Sequence, residues 1–359
     1  MSNMQSNSPK ILVVIVNYRT PDLTIECLRS LIPELANLPR MQVTVVDNDS
    51  GDDSVAKIEK AIATEGWGDW VKFIASQHNG GFSYGNNLAI RPVLASSDPA
   101  PADYFLLLNP DTEIRSGAIK ALVDFMVQHP EAGIAGSRYE LADGTPWRIK
   151  LRFPTILSEL DGGLRLGLVT KLLHKWVVAQ PAGDEACQVD WLPGASMLIR
   201  RQVLETVGLM DEEYFLYYEE TDYCLQAKRA GWSCWYVPDS LVMHIGGQST
   251  GVDLADTPER LPKYCFDSRR RYFTKNHGVV YAAIADLLWI VGFSLWKVRQ
   301  FVQRKPNSDT PYYLRDFVRN SILFYRLGNF IDKIKSNLFF RFESNNFALA
   351  NGRKKRSVE

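Results

Sequence analysis

The stretch "FLLLNPDTEI", residues 105–114, decides the fold prediction because a short apolar run ends abruptly in polar residues. Residues 105–108 are all apolar, which is typical of a strand buried on both faces of a sheet. Asn109 and Asp111 then follow on either side of Pro110. In an extended chain the two side chains point the same way, and the proline restrains the backbone between them. The stretch therefore predicts a buried strand that delivers an amide and a carboxylate at its carboxyl end.

Apolar strands alternate with helical patterns throughout this half of the chain. Three runs precede residue 105, "ILVVIVNY", "QVTVVDNDS" and "VKFIAS", and each is followed by apolar residues at helical spacing. In the first helix, Thr20 is a candidate N-cap ahead of Pro21. Parallel strands are joined by helical crossovers that cover the sheet. We therefore predict an α/β protein with a parallel sheet covered on both faces.

Each predicted strand of this half ends in polar residues: Asn17, residues 47–49, residues 78–81 and residues 109–111. Asn, Asp, Gly and Pro are also ordinary turn residues, so any one of these ends could be only a turn. In parallel sheets, however, ligands bind at the carboxyl ends of the strands. Four polar ends in one alternating unit favour a ligand crevice there.

The turn after the first strand reads "NYRTPD" and has no glycine. It lacks the GxGxxG of dinucleotide-binding enzymes, and the chain lacks the GxxxxGK[ST] of P-loop enzymes, so neither class fits. A hard divalent cation, bound by one or two carboxylates and by substrate phosphates, is the usual alternative to a glycine cradle. Asp111 is the candidate ligand for such a cation.

A second informative region lies between residues 189 and 250. Gly194 interrupts a strand and permits close approach of a ligand. Glu219, Glu220 and Asp222 open a helix, where acidic residues also favour the helix dipole without any further role. Crowded carboxylates raise one another's proton affinity, which suits a general base. His244 ends a strand just before two glycines, which is either a structural position or the rim of a site.

Seven motifs in this order resemble glycosyltransferase family 2, the inverting GT-A enzymes, and within it the bacterial rhamnosyltransferase-like branch. They are "IVNYRTPD", "VVDNDSGDDS", "NGGFSYGNN", "LLLNPDTEI", "WLPGASMLIRR", "YYEETDYCLQAKRAGW" and "MHIGG". The resemblance covers roughly residues 10 to 250. It implies the Rossmann-like, mostly parallel sheet of the nucleotide-diphospho-sugar transferases.

The resemblance also implies roles for individual residues. The general base falls on Glu220, with Glu219 and Asp222 as alternatives because this chain has Glu219-Glu220 where the family usually has Glu-Asp. A divalent metal, Mg2+ or Mn2+, is expected at Asp111 and His244. The donor nucleotide sugar is expected to contact Asn17, Arg19, Asp47, Asn79, Gly80, Gly81, Asn86 and Asn109, and the sugar or acceptor to contact Trp191 and Gly194.

The C-terminal part has a different character. Residues 261–359 carry 19 Lys and Arg against 7 Asp and Glu, a formal charge of +12. Residues 279–296 are apolar apart from Asp286, and a spanning helix needs about 20 apolar residues, so this segment could span a membrane, lie at its surface or pack against protein. The basic amphipathic pattern that follows favours an anionic membrane surface over nucleic acid, with a packing or dimerisation face as the alternative.

We therefore expect a disordered N-terminus at 1–9, a catalytic domain at 10–255 with a donor half (10–115) and an acceptor half (116–255), a helical region at 256–345 for membrane association or oligomerisation, and a basic tail at 346–359. The five cysteines are scattered and form no CxxC pair, which fits a reducing cytosol. The expected location is cytoplasmic, peripheral on the inner face of a bacterial plasma membrane.

The expected function is inverting transfer of a sugar, with L-rhamnose from dTDP-rhamnose as the first choice, onto a saccharide or lipid-linked acceptor in surface polysaccharide synthesis. Another nucleotide sugar, carrying galactofuranose, glucose or an N-acetylhexosamine, is the alternative. A sugar nucleotidyltransferase and a non-catalytic binding protein are the remaining classes. The nucleotidyltransferase would require a glycine-rich basic loop after the first strand, and "NYRTPD" is not one.

Overall fold

The computed structural model describes residues 8–98, 101–141, 143–147, 149–246, 248 and 260–324. Most of the predicted disordered N-terminus, the end of the predicted helical region at 325–345 and the basic tail at 346–359 lie outside these residues. Everything said below concerns the described part of the chain.

Strands and helices alternate along the chain as predicted. The strands are β1 (Ile11–Asn17), β2 (Met41–Asp47), β3 (Val71–Ala75), β4 (Tyr104–Leu108), β5 (Thr112–Ile114), β6 (Ala132–Glu140), β7 (Pro146–Trp147), β8 (Ile149–Leu151), β9 (Ala179–Pro181), β10 (Cys187–Val189), β11 (Ser196–Arg200) and β12 (Ser233–His244). The helices are α1 (Pro21–Asn37), α2 (Ser54–Thr64), α3 (Gly81–Ala95), α4 (Ala118–Gln128), α5 (Ile156–Leu164), α6 (Gly167–Leu172), α7 (Arg201–Val207), α8 (Glu219–Arg229), α9 (Lys263–His277), α10 (Val279–Val302) and α11 (Tyr313–Asn320).

One large sheet runs in the order β10-β12-β6-β11-β4-β1-β2-β3, and β8 pairs separately with β9. β3, β2, β1 and β4 are parallel neighbours, as predicted. β11 then lies antiparallel between β4 and β6, while β12 is parallel to β6. The sheet is therefore mostly rather than wholly parallel. The apolar pattern could not distinguish the two cases, because a strand buried on both faces has the same pattern in either direction.

β1 and β4 lie at the centre of the sheet, and every residue of both strands is buried. α1 contributes Cys27, Leu28 and Leu31 to the core on one face. α3 contributes Ala89 and Ile90 to the core on the other face. Because both faces are covered, polar side chains of the central strands reach a ligand only at the strand ends.

Helices α9, α10 and α11 form a layer beside α5, and α5 and α10 cross at close range. Added Cβ atoms would lie 2.7 Å from the Trp289 carbonyl oxygen at Gly163 and 2.9 Å from the Leu164 nitrogen at Gly292. Only glycine fits at such a crossing. The face of α10 that contacts the protein is therefore fixed.

A buried ionic cluster, formed by Glu159, Arg269 and Asp286, joins α5, α9 and α10. The Arg269 guanidinium donates to Asp286 and lies 2.7 Å from a Glu159 carboxylate oxygen. Asp286 also accepts from the Ile322 backbone N–H at 2.7 Å. The acid in the middle of the apolar stretch is therefore neutralised by protein groups.

α10 is long and apolar enough to cross a membrane by length and composition. About a third of its most apolar stretch is buried within the protein. Length and composition are weak evidence for a membrane span, since core helices of soluble proteins share them.

Candidate active site

A cavity of about 630 Å³ opens where the central strands end. Eight of the predicted residues line it: Asn79, Gly81, Asn109, Asp111, Gly194, Glu219, Glu220 and His244. The other seven are not among its lining residues: Asn17, Arg19, Gly80, Asp47, Asn86, Trp191 and Asp222. The fold thus gathers residues from both predicted halves of the catalytic domain around one space.

Asp111 and His244 meet because of a short strand pairing. β5 begins directly after Asp111 and pairs antiparallel with β12, which places Thr112 opposite His244. The Ile245 N–H donates to the Asp111 carbonyl at 3.2 Å and extends this pairing. His244 Nε2 consequently lies 3.4 Å from Asp111 Oδ1 and 3.4 Å from the side-chain nitrogen of Asn109. One carboxylate, one imidazole and one amide therefore share a corner of the cavity.

This corner was tested for its fit to a divalent cation. Within the described residues, no group of three or more His, Cys, Asp or Glu side chains is placed to hold a metal ion. A Mg2+ site at a substrate diphosphate needs only one or two carboxylates, because phosphate oxygens and water complete the coordination. Carboxylate oxygen suits Mg2+ and Mn2+, and imidazole is a common nitrogen ligand of other divalent metals. Asp111, with His244 beside it, fits a cation shared with a substrate.

Glu219 and Glu220 reach the cavity from a tight turn. Tyr217 and Tyr218 have left-handed φ angles of 69° and 67°, which cost roughly 1–2 kcal/mol each for a residue with a side chain. α8 starts immediately afterwards. Glu219 is 3% exposed, and the Oε2 atoms of both acids are buried without a hydrogen-bond partner in the described chain. Strain and unpaired buried oxygens together are typical of a functional site.

The two acids influence each other's ionisation. Burial, and then the charge of Glu220, raise the pKa of Glu219 well above its usual range. Burial also raises the pKa of Glu220, while hydrogen bonds from the backbone and from Glu219 oppose that effect. Burial and the charge of Glu220 therefore favour the protonated form of Glu219, while hydrogen bonds favour the charged form of Glu220. A carboxylate with a raised pKa is suited to accept a proton.

Asp222 does not reach the cavity. It accepts hydrogen bonds from Lys275 and Asn276 of α9, each at 2.6 Å, and from Gln226 at 3.2 Å. These contacts tie α8 to the C-terminal helices. Of the three candidate bases, only Glu219 and Glu220 stand where a substrate could reach them.

Asn17 and Asp47 form a buried layer behind the cavity. Parallel pairing places them side by side, and the Asn17 amide donates to Asp47 Oδ2 at 2.7 Å. The Ser50 hydroxyl and backbone N–H donate to the same carboxylate, and Arg19 donates to the Ser50 carbonyl. Thr20 is the N-cap residue of α1, but its hydroxyl donates to Asn17 instead of capping the helix. Nucleoside contacts at these residues stay a prediction.

The loop before α3 is fastened to the loop before α8. Asn48 donates to the Asn79 side chain and to the Gly81 carbonyl, both at 3.0 Å. Gly81 has φ +84°, and an added Cβ would lie 1.9 Å from the Phe215 carbonyl oxygen. That oxygen accepts the Phe82 N–H at 2.9 Å. Only glycine permits this contact, which holds the two sides of the cavity together.

Of the remaining predicted residues, Gly80, Asn86 and Gly194 lie near this contact, and Trp191 does not. Gly80 is the N-cap residue of α3. Asn86 is buried, donates to the Phe82 carbonyl and keeps its Oδ1 unpaired within the described chain. Gly194 packs against the Phe82 ring, which an added Cβ would approach to 2.9 Å. Trp191 lies away from the cavity because its indole N–H donates to the carbonyl of Arg152 at 2.8 Å.

Other lining residues were not among the predicted site residues, and five of these are aromatic: Tyr18, Phe82, Phe215, Tyr217 and Tyr264. The run "YFLYY" just before the two glutamates could have indicated the aromatic part. Tyr264 gave no such signal, because it comes from α9, beyond the predicted catalytic domain.

The sheet order and the acidic cavity define the class of protein, the GT-A fold of nucleotide-diphospho-sugar transferases. The mannosyltransferase PcManGT from Pyrobaculum calidifontis, solved with GDP-Man and Mn2+, aligns with TM-score 0.54 and 12% identity over 85% of this chain and 78% of that one. GalNAc-T7, solved with UDP, GalNAc and Mn2+, aligns with TM-score 0.54 and 12% identity over 78% of this chain and 51% of that one. At this identity the likeness concerns the fold alone.

The sequence places the chain within that class. The profile of the family described as "Glycosyltransferase like family 2" matches residues 9–272. The chain belongs to this family, as the seven motifs predicted. The match extends into α9, past the predicted end of the catalytic domain.

Relatives of known function are rhamnosyltransferases and a hexosyltransferase. The N-acetylglucosaminyl-diphospho-decaprenol L-rhamnosyltransferase of Mycobacterium tuberculosis (strain ATCC 25618 / H37Rv) is 31% identical over 164 residues, 45% of this chain. The chain spans about half, 52%, of that relative's length. The dTDP-rhamnosyl transferase RfbF of Shigella flexneri is 28% identical over 293 residues, 80% of this chain and 86% of the relative. The hexosyltransferase Agl10 of Haloferax volcanii is 31% identical over 217 residues, 60% of this chain and 61% of its own.

Proposed function

We propose that the protein is an inverting glycosyltransferase that moves a sugar from a nucleotide diphosphate to a hydroxyl group of an acceptor. One observation carries the proposal. The carboxylate pair Glu219 and Glu220 lines the same cavity as Asp111 and His244. The first pair suits proton removal, and the second suits a diphosphate with its counterion.

Glu220 is the proposed general base. Its carboxylate takes the proton of the acceptor hydroxyl, and the oxygen attacks the anomeric carbon of the donor sugar. The bond from that carbon to the diphosphate oxygen breaks on the opposite face, so the nucleoside diphosphate leaves with the bonding electrons and the configuration inverts. Glu219 keeps its own proton and, with Gly194 N–H nearby, holds the Glu220 carboxylate in place.

Asp111 and His244 are the proposed holders of a divalent cation, Mg2+ or Mn2+, with Asn109 beside them. When bound, the cation supplies positive charge that offsets the charge of the leaving diphosphate. Asn79 and Gly81 lie on the adjacent wall, where they are proposed to lie beside the phosphate and sugar of the donor. Asn17, Arg19 and Asp47 are proposed to shape the nucleoside end of the site from behind.

The proposed donor is dTDP-L-rhamnose, and the proposed acceptor is a lipid-linked or polysaccharide saccharide of bacterial surface glycan synthesis. The support comes from the relatives, several of which are rhamnosyltransferases, including one whose name gives an N-acetylglucosaminyl-diphospho-lipid acceptor. A different hexose donor is the second candidate, because the Haloferax relative is a hexosyltransferase.

A screen tests these proposals. Purified protein is mixed with dTDP-rhamnose, UDP-glucose, UDP-galactofuranose or UDP-N-acetylglucosamine, and with N-acetylglucosaminyl diphosphate on a short alkyl chain, with Mn2+ or EDTA. Release of nucleoside diphosphate from this mixture indicates glycosyl transfer. A nucleotidyltransferase would instead release pyrophosphate from a parallel mixture of a nucleoside triphosphate and a sugar 1-phosphate. We expect diphosphate release with dTDP-rhamnose, lost in EDTA. Turnover that persists in excess EDTA contradicts the metal assignment.

A substitution of Glu220 tests its assignment as the general base. Glu220→Gln should keep donor affinity and lose about 100-fold to 10,000-fold in kcat, the usual contribution of a general base. Glu205→Gln, on the exposed side of α7, is the matched control and should behave as the wild type. If Glu220→Gln turns over normally, the base lies elsewhere. If no nucleotide sugar binds, the protein is not a transferase of this kind.

We also propose that the protein is cytoplasmic and peripheral on an anionic membrane. α10 exposes an apolar stripe whose side chains are 42% to 75% exposed and recur every three or four residues: Val280, Ile284, Leu287, Val291, Leu295, Val298 and Val302. Exposed Arg304 and Lys305 follow it. Because the buried ionic cluster holds Asp286 on the protein side, the helix suits the plane of the interface rather than a span.

Sedimentation with vesicles tests the apolar stripe. The double variant Leu287→Glu and Val291→Glu should lower binding to anionic phosphatidylglycerol vesicles by at least about tenfold. Val127→Glu, which also charges an exposed valine but lies on α4, is the control. If the wild type does not bind vesicles but is a dimer, and the double variant is a monomer, the stripe is an interface between copies of the chain.

A further inference from the structure

Three aromatic side chains form one wall of the cavity, and none of them has a part in the transfer chemistry described above. We call Phe215, Tyr217 and Tyr264 the aromatic wall. The ring of Tyr264 lies 5.2 Å from that of Phe215 and 6.2 Å from that of Tyr217, between centroids. All three line the cavity. Phe215 is 38% exposed, so part of its surface is available to a ligand in the cavity.

The aromatic wall comes from two segments, the loop before α8 and the start of α9, and several contacts hold these segments together. Ser268 of α9 donates to the Leu216 carbonyl at 2.9 Å, so the helix that carries Tyr264 also fixes the loop that carries the other two rings. The left-handed backbone at Tyr217 and Tyr218 sends their two side chains to different places. Tyr218 packs against Tyr272, 5.4 Å between ring centroids, while Tyr217 lines the cavity. Backbone strain of this kind persists where the surrounding structure and function require it.

The wall lies beside the proposed base. Tyr217 is two residues before Glu219, and both line the cavity. The acceptor hydroxyl must come within hydrogen-bond reach of Glu220 to lose its proton. The rest of the acceptor therefore lies against the surfaces next to Glu220. Tyr264 lies in the first turn of α9 and joins this wall from the C-terminal helices.

We propose that the aromatic wall is the binding site for the sugar ring of a saccharide acceptor, a proposal that rests on the proposed function. The C–H face of a pyranose ring is apolar, and a ring of this size stacks on a flat aromatic face while its hydroxyl groups stay at the edges. Burial raises the pKa of Tyr264 to about 12. Its phenol therefore keeps its proton and can donate to a sugar hydroxyl.

Two variants of Tyr264 test the wall. Tyr264→Ala removes the ring and should raise KM for the alkyl N-acetylglucosaminyl diphosphate by about tenfold, the effect of one aromatic contact. KM for dTDP-rhamnose and its slow hydrolysis without acceptor should not change. Tyr264→Phe keeps the ring and should stay within about threefold of the wild type. Tyr312→Ala, at a tyrosine that is 61% exposed and outside the cavity, is the control.

A binding measurement decides the proposal even without turnover. In saturation-transfer NMR, the sugar protons of the same acceptor probe should receive magnetisation from the wild type and from Tyr264→Phe, and far less from Tyr264→Ala at equal Tm. Equal transfer in all three proteins overturns the aromatic wall. A rise in donor KM alone also overturns it, since the rings would then hold the donor sugar. Loss of donor binding by every protein is instead a failure of the proposed function.

Discussion

Gly81→Ala should damage the enzyme far beyond the usual cost of replacing a glycine. The added Cβ would stand 1.9 Å from the Phe215 carbonyl oxygen, and real Cβ contacts are not shorter than 3.0 Å. The backbone must therefore separate by about 1.1 Å. Both partners are backbone atoms, so no side-chain rotation can relieve the clash. The loop before α3 and the loop before α8 must move apart.

The expected magnitude follows from these contacts. Alanine at φ +84° costs about 1–2 kcal/mol in backbone strain. Loss of the hydrogen bond from the Phe82 N–H to Phe215 adds about 1 kcal/mol. A displacement of about 1 Å near reacting groups costs about 100-fold in rate. We expect a loss of about 2–3 kcal/mol in the free energy of unfolding and a fall of about 100-fold in kcat.

Gly117→Ala is the matched control. Gly117 has φ +85°, but nothing lies within 4 Å of its added Cβ, and it sits at the start of α4. It should lose only about 1–2 kcal/mol from strain and keep full kcat. Urea unfolding and steady-state kinetics on both variants measure the difference. Equal losses of stability and activity in the two variants would refute the clash as the cause.

Three other predictions concern buried ionisable side chains. The pKa of Glu219 is raised in the folded protein, so folding is favoured most below the unfolded pKa of about 4.3. The wild type loses that stability as pH rises through the raised pKa. Glu219→Gln has no such proton to lose, so its Tm should rise relative to the wild type between pH 4 and pH 8. The raised pKa of Glu220 should place the acid limb of kcat above the ordinary glutamate value of about 4.3, as a pH–rate profile will measure. Arg269→Met leaves the two acids of the buried ionic cluster unpaired and should cost about 3–5 kcal/mol in urea unfolding.

Each of these has a result that would contradict it. A Tm difference for Glu219→Gln that does not grow with pH means that Glu219 is ionised in the folded protein. An acid limb at the ordinary glutamate value means that burial does not affect the base. Arg315→Met, at an exposed arginine of α11, should change stability by no more than about 0.5 kcal/mol; if Arg269→Met is equally mild, the cluster is not stabilising.

The local elements were accessible from the sequence because their signals are local. Four strands with helices between them came from apolar runs and helical spacing, and the polar strand ends predicted where a ligand would bind. Asn109 and Asp111 were predicted from a polar strand end, and Glu219 and Glu220 from the crowding of acids at a helix start; all four line the cavity. The strand end left His244 as either a structural residue or part of a site rim, and the resemblance gave it a role at the metal. The resemblance placed Trp191 at the sugar or acceptor pocket; its indole N–H donates to the Arg152 carbonyl, and Trp191 is not among the residues that line the cavity.

By itself the sequence determined which segments are strands and helices, and which strand ends are polar, because side-chain periodicity is a property of neighbouring residues. Only the tertiary structure decided which of those residues meet. The pairing of β5 with β12 brings His244 to Asp111, and the contacts of α9 take Asp222 out of the cavity while adding Tyr264 to it. Strand direction, helix rotation and helix crossing are set by packing between distant segments, and no local pattern encodes them.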